Sequence, residues 1–304
     1  MTSDWRNDLP QGDGVVVLHD EPMALHTTYK VGGTAAAFLK LKSLEALCEA
    51  VDYLTQNNVP FVVVGNGSNV LFSDTNFAGA VLQLSKGFDN LDIQEDNTLR
   101  VGAAVTINKL VRFTKQKKLS GVEFLGGVPG TVGGAVRMNA GTTMGEVKDT
   151  LVRARIVSPG QSARWLNADQ LNLSYRHSEL PHNAIVVEAE FACNPADEET
   201  FSRLEQVLSY RKETQPLQMP SCGSVFANPP GDHAGRLIEA CGLKGQKVGG
   251  AQISEMHANW IVNIDQAKAS DVNALIELCI SSVKDQFGIN LRHEVQYLGD
   301  WTGA

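Results

Sequence analysis

No uninterrupted apolar run in this chain approaches the roughly 18 residues of a membrane-crossing helix. The N-terminus, Thr2-Ser3-Asp4-Trp5, is polar and acidic, without the basic segment and apolar core of an export signal. Cysteine is scarce. Cys48, Cys193, Cys222, Cys241 and Cys279 are odd in number and scattered, which argues against a disulfide framework. No cysteine pair, and neither His257 nor His293, has metal-ligand spacing, so no metal site is expected. These absences point to a reduced, cytoplasmic, soluble protein.

Positive charge is also in deficit: 26 Lys and Arg stand against 34 Asp and Glu, a net charge of −8. That argues against nucleic acid as a main partner, because neutralising phosphates needs a basic face. A small phosphorylated ligand held by amides and a few cations stays open. There is no Walker lysine pattern and no Gly-x-Ser-x-Gly elbow, so neither a nucleotide triphosphatase nor that kind of serine hydrolase is expected. Tandem repeats and low-complexity tracts are missing as well.

Glycine, by contrast, is plentiful: 28 of the 304 residues, a length that suggests about two domains. The densest run is Gly126-Gly127-Val128-Pro129-Gly130-Thr131-Val132-Gly133-Gly134-Ala135-Val136-Arg137-Met138-Asn139-Ala140-Gly141. Six of its sixteen residues are glycine and none is acidic. Such a run gives up packing and backbone entropy, and gains close approach of bare backbone to another group. Amide N–H groups there can face anionic oxygens. A glycine-rich turn between strands is the plainer alternative.

A second loop, Gly65-Asn66-Gly67-Ser68-Asn69-Val70-Leu71, follows the buried-strand run Pro60 to Val64. A dinucleotide fingerprint of the Rossmann type would need glycine at position 70 and a helix after it. Val70 stands there, and Leu71-Phe72-Ser73-Asp74 does not begin a periodic helix. The loop therefore reads as a phosphate-type turn in a different fold. Two strand-linked glycine loops suit one extended anion, such as FAD or NAD(P), better than two ordinary turns.

Around these loops the pattern is mixed. Residues 1–20 read as a lead with a short apolar patch, Val15 to Leu18. Ser43 caps a helix bearing Leu44, Leu47, Val51 and Leu54, and Thr106 caps one bearing Ile107, Leu110 and Val111. Strands are expected at 37–41, 78–84, 99–105, 151–157 and 184–192, with an acidic turn region at 89–97. A polar stretch near 194–198 marks a domain boundary. Beyond it come helices at 201–211 and 234–241, a strand at 259–264, a long helix capped by Ser270 and ended by Gly288, and a last strand at 293–298.

Five motifs resemble, in order, those of the UDP-N-acetylenolpyruvoylglucosamine reductase (MurB) family. They are the two glycine loops, Tyr175-Arg176-His177-Ser178, Gly223-Ser224-Val225-Phe226-Ala227-Asn228-Pro229, and His293-Glu294-Val295. The likeness runs roughly from residue 20 to residue 300. It implies a mixed α+β fold: a two-lobed FAD-binding domain of the vanillyl-alcohol-oxidase-like type over 21–196, split near 86–98, and a C-terminal α+β substrate domain over 197–304. It implies dissociable FAD, since the first glycine loop has no histidine or cysteine to attach it, and NADPH as reductant. The implied reaction reduces an enolpyruvyl ether to a lactyl ether, giving UDP-N-acetylmuramate for peptidoglycan, in an enzyme acting as a monomer.

The resemblance also implies roles. FAD would lie on Gly65, Asn66, Gly67, Ser68, Asn69, Val70, Gly126, Pro129, Gly130, Gly133 and Gly134, partly through amides at the start of a short helix near Gly133-Gly134. Hydride delivered to the enolpyruvyl β-carbon builds negative charge on the α-carbon and carboxylate, which needs fixed donors. Arg176 matches a carboxylate bidentately, Glu294 is the second stabiliser, and Ser224 gives the α-carbon its proton. Tyr175, Arg176 and Asn228 would bind substrate, while Cys222 reads as packing.

Two departures stand out. Phe201 follows Arg176 by only 25 positions, too few for the tyrosine-bearing insertion of the longer subtype, so the chain resembles the shorter one. Thr214-Gln215 stands where some members carry a lysine for the substrate diphosphate, with Arg211 and Lys212 as nearby alternatives. The rival expectations are another FAD oxidoreductase on this fold, such as an oxygen-using oxidase, and a non-catalytic nucleotide-binding module.

Overall fold

The computed structural model describes residues 4–181 and 183–301. The first three residues of the expected lead and the last three of the expected substrate domain lie outside the described residues. The chain divides into two compact units. Met1–His19, Ala36–Gly65 and Ala78–Ser209 form the first; Asp20–Ala35, Asn66–Phe77 and Tyr210–Ala304 form the second.

The first unit is built mainly on two sheets. One orders its strands Val15–Pro22, Thr34–Leu41, Phe77–Leu84, Phe61–Val63, the last two parallel with Phe61 beside Ala80. Helix Leu44–Gln56 follows from its sequence: the Ser43 hydroxyl accepts from the Ala46 amide at 3.1 Å. Leu47, Val51 and Leu54 then turn inward onto Leu39, Leu41 and Leu82. Full burial of such side chains stabilises by about 1.5–3 kcal/mol each.

The other sheet is antiparallel, ordered Gln161–Asn167, Leu151–Ser158, Ile185–Ala192, Thr98–Gly102, Leu91–Ile93. Helices Ile107–Lys117 and Val132–Arg137 supply Ile107, Leu110, Val132 and Val136 to its core. Two of these strands differ from the sequence reading. Leu91–Ile93 lies inside the expected turn region, and polar Gln161–Asn167 gave no apolar signal. Trp165 shows what holds the latter: the Arg153 guanidinium sits 4.5 Å from its ring centroid. Arg153 and Arg100 in turn clasp Glu190 at 2.5 and 2.7 Å. Burial pushes the Glu190 carboxyl up, but the two arginines outweigh it and hold the pKa below its ordinary value.

The second unit carries an antiparallel sheet of Lys247–Val248, Ala251–Ile253 and Ile261–Asn263. Helix Ala269–Phe287 lays Val272, Leu275, Ile276, Cys279 and Val283 into this unit's core. It starts before Ser270, which is inside the helix rather than its cap. The Asp74 carboxylate accepts from the Ala269 and Ser270 amides at 2.7 and 2.9 Å, a long-range cap that no local pattern announces. Gly288, at φ 69°, ends the helix as expected. The terminal strand is shorter than expected, Gln296–Leu298, and pairs in parallel with Val70–Phe72.

Helix Glu198–Thr214 begins before Phe201 and runs past Arg211. Of its apolar residues Phe201, Leu204, Val207 and Leu208, only Leu204 is buried and Leu208 is exposed. No helix among the described residues is long and apolar enough to cross a membrane.

Candidate active site

In the first unit, the glycine-rich stretch is stitched to the end of strand Thr98–Gly102. The amides of Ile107, Val132 and Gly133 exchange bonds with it: Ile107 donates to the Gly130 carbonyl, Val132 to Val105 and Gly133 to Ala103, at 3.1, 2.9 and 2.9 Å. Several glycines therefore serve the fold itself. A Cβ on Gly126 would stand 2.2 Å from Leu204, and one on Gly133 3.0 Å from the Ala103 Cβ. The first amides of helix Val132–Arg137 are thus committed inside the protein, which narrows the expectation that this helix start serves a phosphate.

Gly134 is different. It is exposed, and a Cβ there would meet only Thr131 Oγ1, at 3.8 Å. Glycine inside a helix costs about 1 kcal/mol relative to alanine, and no neighbour among the described residues requires it. Its bare backbone fits a ligand that lies against the helix surface. Gly65, like Gly126 and Gly133, is bare for a packing reason, since a Cβ there would stand 2.5 Å from Thr131 Oγ1. The start of the first glycine loop is thereby packed on the second. Pro129 is exposed on the intervening turn. These residues fit a dinucleotide cofactor laid along the glycine backbone.

The same stretch holds Arg176. Ser174 and His177 exchange backbone bonds at 3.0 Å, which leaves Tyr175 and Arg176 as a two-residue turn. Arg176 takes φ 56°, sparsely populated by residues other than glycine and asparagine. Its guanidinium donates to the Gly141 carbonyl at 3.0 Å and lies 4.9 Å from the Tyr175 ring centroid, so Tyr175 supports the arginine. The Ser178 hydroxyl donates to the Arg137 carbonyl at 2.6 Å. Fully buried Asn139 completes the tether: Nδ2 donates to the Ser174 carbonyl at 2.9 Å and to Glu146, while Oδ1 accepts from the Lys148 amide. The sequence reading gave Asn139 no role. Asn139→Ala leaves these backbone groups unsatisfied, so destabilisation by about 1–3 kcal/mol is expected. With it should come a raised KM for a carboxylate substrate, read by thermal melts and steady-state kinetics. An unchanged KM would contradict this tether.

In the second unit, Gly67 at φ 63° passes 2.0 Å (Cβ position) from the His26 carbonyl, where no side chain fits. Its own carbonyl accepts from the Thr28 amide. Asn69 and Val70 then join the terminal strand: the Gln296 amide donates to the Asn69 carbonyl, and Asn69 Nδ2 donates to the Glu294 carbonyl at 3.0 Å. Asn66 is exposed and Ser68 half-buried.

Ser224 and Glu294 are both in this unit, and Arg176 is in the first. Ser224 is exposed, after Gly223 at φ 83°. The Glu294 amide donates to the Val225 carbonyl at 2.8 Å, and the Ala227 amide to the Arg292 carbonyl at 3.0 Å. The segment bearing Ser224 is therefore backbone-paired to the segment bearing Glu294. Asn228 Oδ1 accepts from the Ala234 amide at 3.1 Å, so its Nδ2 end is the part suited to a ligand oxygen. Burial pushes the Cys222 thiol up to about 12, which keeps it protonated and inert. Arg211, half-buried, bonds Gln215 at 2.9 Å, while Lys212 is exposed.

His257 backs this region. Its Nδ1 accepts from the Asn259 amide at 3.2 Å, so the ring is neutral there. Burial, then the Lys244 charge, lowers its pKa from the ordinary value. The unfolded chain therefore takes a proton first as pH falls below roughly 6.5. Stability should drop from that point down to the folded pKa and be flat above it. Melting curves between pH 5 and 8 should show a shallower acid-side loss in His257→Asn; equal slopes would contradict the assignment.

Residues 35–166 match the family model described as an FAD binding domain. The fold and this match define an FAD-binding domain of mixed α+β fold. Glucooligosaccharide oxidase from Acremonium strictum shares that fold at 16% identity and a TM-score of 0.50, over 98% of this chain and 61% of its own. Residues 215–298 match the model for the UDP-N-acetylenolpyruvoylglucosamine reductase C-terminal domain. The reductase of Halalkalibacterium halodurans is 41% identical over 92% of this chain and 94% of its own, and that of Myxococcus xanthus 41% over 95% and 94%. The crystal structure of the Thermus caldophilus enzyme aligns with a TM-score of 0.81 at 35% identity, over 93% of this chain and 98% of its own. The chain belongs to the UDP-N-acetylenolpyruvoylglucosamine reductase family.

Proposed function

We propose that this chain is an NADPH-dependent FAD enzyme that reduces UDP-N-acetylglucosamine enolpyruvate to UDP-N-acetylmuramate for peptidoglycan synthesis. The observation that supports the reading is that Arg176 stands on a turn, and the Ser224 and Glu294 segments on paired backbone, each tethered by hydrogen bonds, in a member of this family. When bound, FAD would supply the hydride chemistry that links the nicotinamide to the enolpyruvyl β-carbon. FAD would be held without a covalent bond by Gly65–Val70 and by Gly126, Pro129, Gly130, Gly133 and Gly134.

Arg176 grips the enolpyruvyl carboxylate and offsets the charge that gathers on it, worth most where water is excluded. Glu294 is the second stabiliser of that charge. Ser224 donates the proton to the α-carbon, from a position next to the segment that pairs with Arg292–Glu294. Asn228 binds through Nδ2, and Arg211 or Lys212 takes the diphosphate in place of the family lysine. The enzyme works as a cytoplasmic monomer on this small-molecule substrate, with no nucleic acid or membrane partner.

Gly134→Ala tests the cofactor surface. Alanine should stabilise the cofactor-free helix by up to about 1 kcal/mol. It should also weaken FAD binding, read by fluorescence titration of the apoprotein. Unchanged FAD affinity would remove Gly134 from the cofactor surface.

A further inference from the structure

We propose that Asn259 is the positioning residue for Ser224, a role that rests on the reaction proposed above. Asn259 is 5% exposed and makes the bonds of a strand neighbour with a side chain. Oδ1 accepts from the Phe226 amide at 2.9 Å, and Nδ2 donates to the Phe226 carbonyl at 2.8 Å. Its own carbonyl accepts from the Val225 amide at 2.9 Å. The orientation of the amide is fixed by chemistry, because Phe226 offers one donor and one acceptor.

On the opposite edge, residues 225–227 pair with 292–294, through an antiparallel bridge of Phe226 with His293. The two residues after Ser224 are therefore bonded on both edges. Ser224 itself is exposed and follows a glycine at φ 83°, a position with little rigidity of its own. What fixes its hydroxyl is the clamped Val225-Phe226 segment, and only Asn259 reaches that segment through a side chain in the bonds described. A proton donor misplaced by about 1 Å can lose on the order of 10²-fold in rate.

The test uses the full FAD-loaded chain with Asn259→Asp and Asn259→Ser. Asp keeps the size and the acceptor but sets an anionic oxygen against the Phe226 carbonyl; Ser removes both contacts. Amide hydrogen exchange over 225–227 should quicken in both variants. Anaerobic stopped flow should show bleaching by NADPH within twofold of wild type. Reduction of the enolpyruvyl substrate at saturation should fall on the order of 10²-fold with little change in KM, and with a larger solvent deuterium isotope effect. Substrate reduction at the wild-type rate despite quickened exchange would overturn the proposal. So would an equal fall in both half-reactions, or loss of FAD binding in both variants, because a residue that only positions Ser224 leaves the glycine stretches untouched. Wild type and Ser224→Ala run alongside. If wild type itself cannot reduce the substrate, the reaction assignment fails, and that is a different result from failure of the Asn259 role.

Discussion

Ser224→Ala should still be bleached by NADPH at the wild-type rate and should lose about 10²–10⁴-fold in reduction of the enolpyruvyl substrate. The asymmetry follows from when the hydroxyl acts. Nothing in the nicotinamide half of the cycle needs a proton at the substrate α-carbon. In the second half, charge built on that carbon has no exit until a donor supplies the proton. Ser224 sits one residue before a segment bonded on both sides, to Asn259 and to Arg292–Glu294. Alanine removes the hydroxyl without disturbing those backbone bonds, so the melting temperature should barely move. Stopped-flow traces of the separate half-reactions read both rates. Failure to bleach, with substrate turnover intact in prereduced protein, would show that the role given to Ser224 is wrong.

Arg176→Ala should lower kcat/KM for the enolpyruvyl substrate by about 10²–10³-fold, the scale set by removing one preorganised donor from developing negative charge. Arg176→Lys should recover only part of that. Lysine carries the charge but not the planar fork, and it cannot hold both the carboxylate and the Gly141 carbonyl in one plane. The turn tolerates truncation because Asn139 and the Ser178 hydroxyl still anchor it. Steady-state kinetics with melting curves separate the two effects. A lysine variant equal to wild type would show that charge alone, not fork geometry, is needed at this position.

Elements with a strong local pattern were legible in the sequence. The Ser43 and Thr106 caps were visible because a hydroxyl stands just before an apolar helical period, and both hydroxyls accept as expected. What stayed hidden depends on distant partners. Strand Gln161–Asn167 is polar and is held by arginine against Trp165, so periodicity had nothing to read. Helix Ala269–Phe287 is capped from Asp74, far away in the chain, and Ser270 was a local decoy.

The family motifs brought out Arg176, Ser224 and Glu294, but not the residues that hold them. Asn139 lies within the glycine stretch, where Asn139-Ala140-Gly141 carries a local turn signal but nothing that announces its bonds to Ser174 and Lys148. Asn259 bonds backbone across the fold and carries no local mark at all. Glycine in this stretch has two causes: Gly126 and Gly133 leave no room for a Cβ because Leu204 and Ala103 press on them, whereas Gly134 has no such neighbour among the described residues.

The most direct test of the central claim is an anaerobic absorbance cycle on the purified FAD-loaded protein. The account predicts a yellow protein that loses its flavin band on adding NADPH. One equivalent of UDP-N-acetylglucosamine enolpyruvate should then restore the band, with formation of UDP-N-acetylmuramate, two mass units heavier than the substrate. A protein that takes up no FAD, or one recoloured by oxygen but not by that substrate, would contradict it.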